Sequence, residues 1–298
     1  MSYILITAAK NEEKHIKKTL DSVTSQLILP LKWIIVLNGS TDTTETIIEP
    51  YCKKYKWIDL IKLPGELNRD FSAKARAVNY GFSKCKGLDF DIVANIDADI
   101  SFAPDFIEFI LQKFTENPKI GVLGTAYEEE YYDSLRDRYQ NLTHVSGQAQ
   151  FFRKDCFTAI GGYVEIPYGG VDWIAVTMAR QQGWITRTYP EIKFFHHRPM
   201  GTEGIGVLKA RFKYGYRDYL FGSHPLWQIL RIVFQFKNKP VILSGLFLGA
   251  GYFWGCIKRP ERPISNELIQ FRRTEQCENL HKILYKIFPK FRKVDDVK

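Results

Sequence analysis

Between Ser2 and about Gly124, short apolar runs alternate with amphipathic stretches of helix length, and this alternation restricts the fold more than any other feature of the chain. "YILITA", "KWIIVLN", "IDLIKLP", "FDIVANID" and "IGVLGTA" read as strands; "EKHIKKTLDSVTSQ", "TTETIIEPYCKKY", "SAKARAVNYGFSKC" and "PDFIEFILQKFTEN" read as the helices between them. Strands separated by helices cannot pair as hairpins. They form a mostly parallel sheet with helices on both faces, an α/β fold in which ligands bind beyond the carboxyl ends of the strands. The run "DIVANIDADISF" ends at such an edge with Asp97 and Asp99, separated only by Ala98.

Two carboxylates held this close repel, and burying either one unpaired is costly, so a positive partner is expected beside them. Three readings compete. A bare D-x-D can simply serve helix capping, with Ser101 and "PDF" following as helix-start residues. "DADIS" also approaches the D-x-D-x-[TV] of haloacid-dehalogenase-type phosphatases, with Asp97 as nucleophile, although that motif belongs on a first strand and here falls on about the fourth. In the third reading the pair holds Mn²⁺ or Mg²⁺, hard cations that take carboxylate oxygens and bridge the phosphates of a nucleoside diphosphate.

Four further segments resemble family 2 glycosyltransferases of the GT-A fold, over roughly residues 3 to 198. "ITAAKNEE" is similar to the first strand and Y-N-E turn of that family, "IVLNGSTDTT" to its V-D-D-G-S-x-D turn, and "SAKARAVNYG" to its G-K-x-x-A-x-N-x-G helix. "GGYVEIPYGGVDWIAVTMARQQGW" is similar to the segment that supplies the catalytic base. The resemblance implies a Rossmann-like mixed sheet and transfer from a nucleoside-diphosphate sugar donor to a hydroxyl acceptor, lipid-linked or on a surface glycan. It implies nucleotide contacts from Ala8, Lys10, Glu12, Asn38, Lys74 and Asp97, metal ligation by Asp97, Asp99 and His196, and Asp172 as the base that gives inversion. Independently, "GGVDW" opens an amphipathic stretch, and a carboxylate in a first helical turn is stabilised as the anion; an ordinary helix cap is the plain alternative for Asp172.

Several positions depart from the family pattern. Leu37 and Asn38 replace its paired aspartates, which leaves the base open; Lys10 stands where an aromatic is common; Val171 replaces a glutamate. No Q-x-x-R-W signature of processive synthases is present, which implies transfer of one sugar. A nucleotidyltransferase is the nearest enzymatic rival, but no glycine-rich basic loop follows the first strand, and the missing G-x-G-x-x-G likewise disfavours a dinucleotide oxidoreductase.

The catalytic region is expected to span residues 1 to 200 and a helical, basic and apolar extension residues 201 to 298. In the extension, "PVILSGLFLGAGYFWGCI" from Pro240 to Ile257 is uncharged and carries four glycines, two pairs of them at G-x-x-x-G spacing, with Lys237, Lys239, Lys258, Arg259 and Arg262 on its flanks. Its readings, in order of preference, are an interfacial or re-entrant hairpin with "PLWQILRIVFQF", a buried core helix and a single span. With a net charge of +9 and a basic amphipathic tail, the partner expected is an anionic membrane surface, on its cytoplasmic face. The basic residues are dispersed and match no nucleic-acid motif, so no nucleic acid is expected. Five scattered cysteines without a C-x-x-C pair point to a reducing compartment, no signal peptide is visible at the amino terminus, and Asn141 in "NLT" reads as a chance sequon.

Overall fold

The computed structural model describes residues 1–64, 72–136, 142–198 and 206–287. Asn141 and the end of the basic tail, residues 288–298, lie outside them. The chain divides into two compact units, Met1–Pro199 and Met200–Lys298.

The first unit runs β1 (Tyr3–Ala9), α1 (Ile16–Thr24), β2 (Lys32–Asn38), α2 (Thr44–Lys54), β3 (Ile58–Leu63), α3 (Ser72–Lys84), β4 (Ile92–Ile96), β5 (Ile100–Ser101), α4 (Phe106–Glu116) and β6 (Ile120–Glu129). It continues through β7 (Tyr132–Asp133), a short 3₁₀ turn, β8 (Ala149–Arg153), α5 (Lys154–Ala159), α6 (Val171–Gln181) and β9 (Ile185–His196). The sheet order is β3-β2-β1-β4-β8-β6-β9-β5, with β7 paired to β6. β1 pairs in parallel with both β2 (Ile6 opposite Ile34) and β4 (Leu5 opposite Ala94), and β8 pairs antiparallel with β4 and β6. The mixed sheet flanked by helices is the α/β arrangement expected. In β1, Tyr3 through Ile6 are all buried because helices cover both faces, which is why the strand reads as a continuous apolar run.

The small residues of α3 set its distance from the sheet. Ala75, Ala77, Val78 and Gly81 are buried, and a Cβ on Gly81 would lie 2.7 Å from Ile6 Cγ2. The helix thus lies close against β1 and carries Lys74, in its first turn, to the carboxyl edge of the strands.

One local expectation fails. The polar, aromatic stretch of residues 126 to 145 reads as a solvated connecting helix in preference to the lining of an acceptor pocket, yet at its start β6 continues through Glu129 and Glu128 pairs with Asp133 of β7. Cross-strand partners override the helical composition: Lys193 Nζ lies 2.6 Å from Glu128 and 3.0 Å from Asp133.

The second unit comprises α7 (Val207–Leu220), α8 (Pro225–Gln235), α9 (Leu243–Lys258) and α10 (Asn266–Ile287). Its helices are joined by buried polar links: Tyr252 OH donates to Ser223 O at 2.9 Å, His224 N to Gln276 Oε1 at 2.7 Å, and Asp218 lies 2.5 Å from Arg231 and 3.9 Å from Arg272. Helix α9 buries one face and exposes the other, so the reading of Pro240–Ile257 as a buried core helix does not describe it. Among the described residues no helix is long and apolar enough to cross a membrane.

Candidate active site

Two turns at the carboxyl edge of the sheet are stitched together before any ligand chemistry begins. Asn11, in the left-handed region at φ 55°, accepts from Thr41 N at 2.8 Å and donates its own N–H to Ser40 Oγ at 3.1 Å. Asp42 Oδ1 accepts from Thr44 Oγ1 at 2.6 Å, and that hydroxyl oxygen accepts from Glu12 N at 2.7 Å. The turn after β1 is therefore fixed to the start of α2, and Glu12 with it.

The D-A-D segment is held from two sides. Asp97 N donates to Gln148 O at 2.8 Å, and His197 N donates to Asp99 O at 2.9 Å. The second bond follows from the antiparallel pairing of β5 with β9, in which Ile100 stands opposite His196. The two carboxylates then diverge. Asp97 Oδ1 accepts from Lys74 Nζ at 2.5 Å, while Asp99 Oδ1 faces His196 Nε2 at 3.6 Å and Asp99 Oδ2 lies 3.5 Å from Arg198 Nε. Burial pushes the Asp97 carboxyl above its ordinary range despite Lys74. Burial also opposes charge on Asp99, but His196, Arg198 and Lys74 outweigh it and hold that carboxyl low. Of the pair, Asp99 is thus the stronger acid.

Arg198 also binds Glu12. Burial and the nearby Asp99 push the Glu12 carboxyl up to about 7, with Arg198 pulling the other way. Lys74 keeps its proton although burial works against it, because Asp97, Asp172 and Asp99 surround it; it also donates to Gly147 O at 2.9 Å.

Asp172 enters from α6. Gly169 and Gly170, at φ 79° and 86°, make the turn that starts the helix, a backbone path that side chains other than glycine rarely follow. Across from it, a Cβ on Gly147 would lie 2.4 Å from Asp172 Oδ2. Only glycine there lets the carboxylate lie against the turn leading into β8.

A cleft of about 1000 Å³ brings these groups together. Ala8, Lys10, Glu12, Asn38, Lys74, Asp97, Asp99 and Asp172 all line it. His196 stands behind Asp99, buried, with its Nδ1 2.9 Å from Glu129 Oε1. Burial alone would lower its pKa, but Asp99 and Glu129 raise it. Its neighbour His197 is committed elsewhere, 3.1 Å from Lys18 Nζ and 2.8 Å from Ser101 Oγ.

The donor set suits a hard divalent cation. Asp99 Oδ1 and His196 Nε2 face each other at a separation too long for a hydrogen bond, and Glu129 orients the imidazole in the manner common to metal-binding histidines. Among the described residues, no group of three or more His, Cys, Asp and Glu side chains surrounds a single metal position, so a cation held here would complete its shell with phosphate oxygens and water. Three participants escape sequence reasoning. Arg198 is 186 residues from the Glu12 it binds. Glu129 sits in the stretch read as a helix, and Gly147 has no partner visible in one dimension. The only local signal for Arg198 is its place beside the two histidines in "FFHHRP".

The sequence profile of Glycosyl transferase family 2 matches residues 4–167, which hold most of this cleft. The chain belongs to that family. In this family 2 chain the remaining cleft residues, Gly169, Gly170, Val171, Asp172 and Arg198, lie beyond the matched segment. A poly-beta-1,6-N-acetyl-D-glucosamine synthase of Staphylococcus epidermidis is 36% identical over 149 residues, 49% of this chain and 33% of that protein. A glucosyl-dolichyl phosphate glucuronosyltransferase of Haloferax volcanii is 24% identical over 186 residues, 55% of each chain. The match thus spans a third to about half of these curated relatives. Among solved structures, the mannosyltransferase PcManGT of Pyrobaculum calidifontis, in complex with GDP-Man and Mn²⁺, superposes with a TM-score of 0.58 at 15% identity, covering 97% of this chain and 87% of that one. TarS of S. aureus superposes at 0.55 and 13% identity, covering 79% and 43%. These likenesses show the fold, GT-A, of a glycosyltransferase family.

Proposed function

We propose that the protein transfers a single sugar, with inversion, from a nucleoside-diphosphate sugar to a hydroxyl of a lipid-linked acceptor at the cytoplasmic face of a membrane. The observation that carries this reading is the convergence of Glu12, Lys74, Asp97, Asp99 and Asp172 on one cleft at the carboxyl edge of the sheet. The order of events follows from what each group can do. Asp172, in the first turn of α6, takes the proton of the acceptor hydroxyl. The freed oxygen attacks the anomeric carbon as the bond to the diphosphate breaks on the opposite face, which yields the inverted glycoside and a nucleoside diphosphate. Lys74, charged and held between Asp97 and Gly147, lies where it can balance the departing phosphate. Ala8, Lys10, Glu12 and Asn38 contact the nucleoside. Asp99 and His196, with Asp97 beside them, would hold Mn²⁺ or Mg²⁺, which when bound would neutralise the diphosphate and stabilise it as a leaving group.

Two observations on relatives support the substrate classes. PcManGT was solved with GDP-Man and Mn²⁺ and TarS with UDP-GlcNAc, so both bases occur on this fold; the Haloferax relative is named for a lipid-linked acceptor, glucosyl-dolichyl phosphate. The test is Asp172→Asn. Turnover should fall by roughly 10²- to 10⁴-fold, while UDP, GDP, CDP or dTDP, whichever raises the melting temperature with Mn²⁺, continues to do so. An equal loss of nucleotide binding would remove Asp172 from the base role. Persistence of the Mn²⁺-dependent shift in Asp99→Ala would remove the metal assignment.

A further inference from the structure

The second unit is built inside out. On α9 the buried stripe is Ser244, Gly245, Leu248, Gly249, Gly251, Tyr252 and Gly255, while the outward stripe is Leu243, Leu246, Phe247, Phe253, Trp254 and Ile257. Apart from Leu248 and Tyr252, the larger apolar side chains thus face away from the helices that pack against α9. Close packing explains the inward glycines: a Cβ on Gly251 would lie 2.0 Å from Phe212 O, and one on Gly215 of α7 would lie 1.9 Å from Leu248 O. Helix α8 repeats the inversion. Gln228 is buried and Arg231 turns inward to Asp218, whereas Leu226, Ile229 and Val233 are each more than half exposed. Val241 and Ile242, in the turn joining the helices, are exposed as well.

We propose that the outward faces of α8 and α9 form a monotopic docking surface that seats in anionic phospholipid without crossing it. This gives the membrane reading above its surface, and it rests on that reading only for the identity of the acceptor. Three features select a bilayer as the occupant. Small residues between helices with large apolar residues outside is the pattern of helices solvated by lipid, not by water. A helix of 16 residues is about 24 Å long, short of the roughly 30 Å hydrocarbon core, so α9 lies at or dips into the interface. The apolar stripe ends in cations on both sides: Lys237 and Lys239 before it, Lys258, Arg259 and Arg262 after it. Lys258 Nζ stands 4.8 Å over the Trp254 ring, a pairing of aromatic and cation suited to the headgroup layer. Arg259 and Arg262 line a cleft of about 640 Å³ with Tyr219, Glu261 among its other residues, at the carboxyl end of α9 where lipid phosphates would stand. A second copy is the poorer occupant, because pairing these faces across a twofold axis brings like-charged rims together.

Flotation of the full chain with phosphatidylcholine vesicles, with and without phosphatidylglycerol, tests this. The unaltered protein should float with the anionic vesicles, less so at high salt, and brominated lipid should quench fluorescence that is lost in Trp254→Phe. The combined variant Phe253→Gln, Trp254→Gln, Ile257→Gln should lose at least about tenfold in vesicle affinity while keeping its nucleotide-induced melting shift. Exchange of Lys258, Arg259 and Arg262 for glutamate should abolish the preference for phosphatidylglycerol. Failure of the unaltered protein to float, absence of quenching, or a dimer that the combined variant dissociates with flotation unchanged would each overturn the proposal. Vesicle binding and sugar transfer to a soluble acceptor are read separately, so the docking surface and the transferase reading can fail independently.

Discussion

Strand β1 and helix α9 are both strongly apolar, and they dispose of that surface in opposite ways. β1 buries Tyr3, Ile4, Leu5 and Ile6 completely and shows its polar chemistry only at the end, where Glu12 and the cleft begin. α9 buries glycines, Ser244, Leu248 and Tyr252 and leaves Phe253, Trp254 and Ile257 outside, Ile257 at 72% exposure. The first unit therefore draws its stability from removing apolar surface from water, the usual source. The second buries Leu220, Phe221, Leu248, Leu268 and Ile269 but also relies on close backbone approach and internal polar links, and it leaves large apolar side chains of α8 and α9 exposed. Hydrophobicity alone predicts burial for both segments. What separates them is where the glycines stand, since α9 places four along one face.

The largest effect that sharpens this contrast is expected in β2. Ile35 is fully buried among the core residues of the sheet, so Ile35→Ala should cost about 2–5 kcal/mol, read as a lower urea midpoint. Hydrogen exchange should show the loss across β1 to β4. A change below about 1 kcal/mol would mean that the first unit is not held by its apolar core.

The first unit was largely legible because its signals are local. "KWIIVLN" is β2 from end to end, and Glu12, Asn38, Lys74, Asp97, Asp99 and Asp172 each lie in a short motif at a strand end or helix start. What escaped is what depends on distant partners. Arg198 joins Glu12 and Asp99 from the far end of β9, and Glu129 reaches His196 only because β6 outruns its apolar segment. Likewise, an uncharged run such as Pro240–Ile257 carries no periodicity to say which face turns inward. The G-x-x-x-G spacing carried that information, and packing against α7 and α8 decided it.

The two units also differ in how they hold a buried carboxylate. Asp218 in the second unit is gripped by Arg231 at 2.5 Å and Arg272 at 3.9 Å. Glu12 in the first unit has its pKa raised from 4.5 to about 7 by burial and by Asp99, despite Arg198. A carboxyl with a raised pKa binds its proton more tightly in the folded state. Its contribution is fully present below 4.5 and is lost as pH rises through about 7. Within that window, stability should fall with a slope of up to about 1.4 kcal/mol per pH unit. Glu12→Gln should flatten this slope in a series of melting curves without ligand. A slope that survives the substitution would assign it to another group.

The smallest expected effects come from a pair of substitutions on the two faces of α9. Adding one methyl at Gly251 places it 2.0 Å from the Phe212 carbonyl oxygen, which is backbone and cannot turn aside as a side chain can. The α7–α9 crossing must then open, so Gly251→Ala should destabilise the second unit by about 1–3 kcal/mol, with faster hydrogen exchange in α7 and α9. Phe253→Gln, two residues on but facing outward, replaces a large apolar ring with a polar side chain. At a buried position such a change would be among the most damaging, yet here it should stay within about 0.5 kcal/mol in buffer, because the ring already meets water in the free protein. The reverse ranking, with alanine tolerated at Gly251 and glutamine ruinous at Phe253, would mean that α9 is packed the conventional way round. That result would remove the structural basis for the lipid-facing surface.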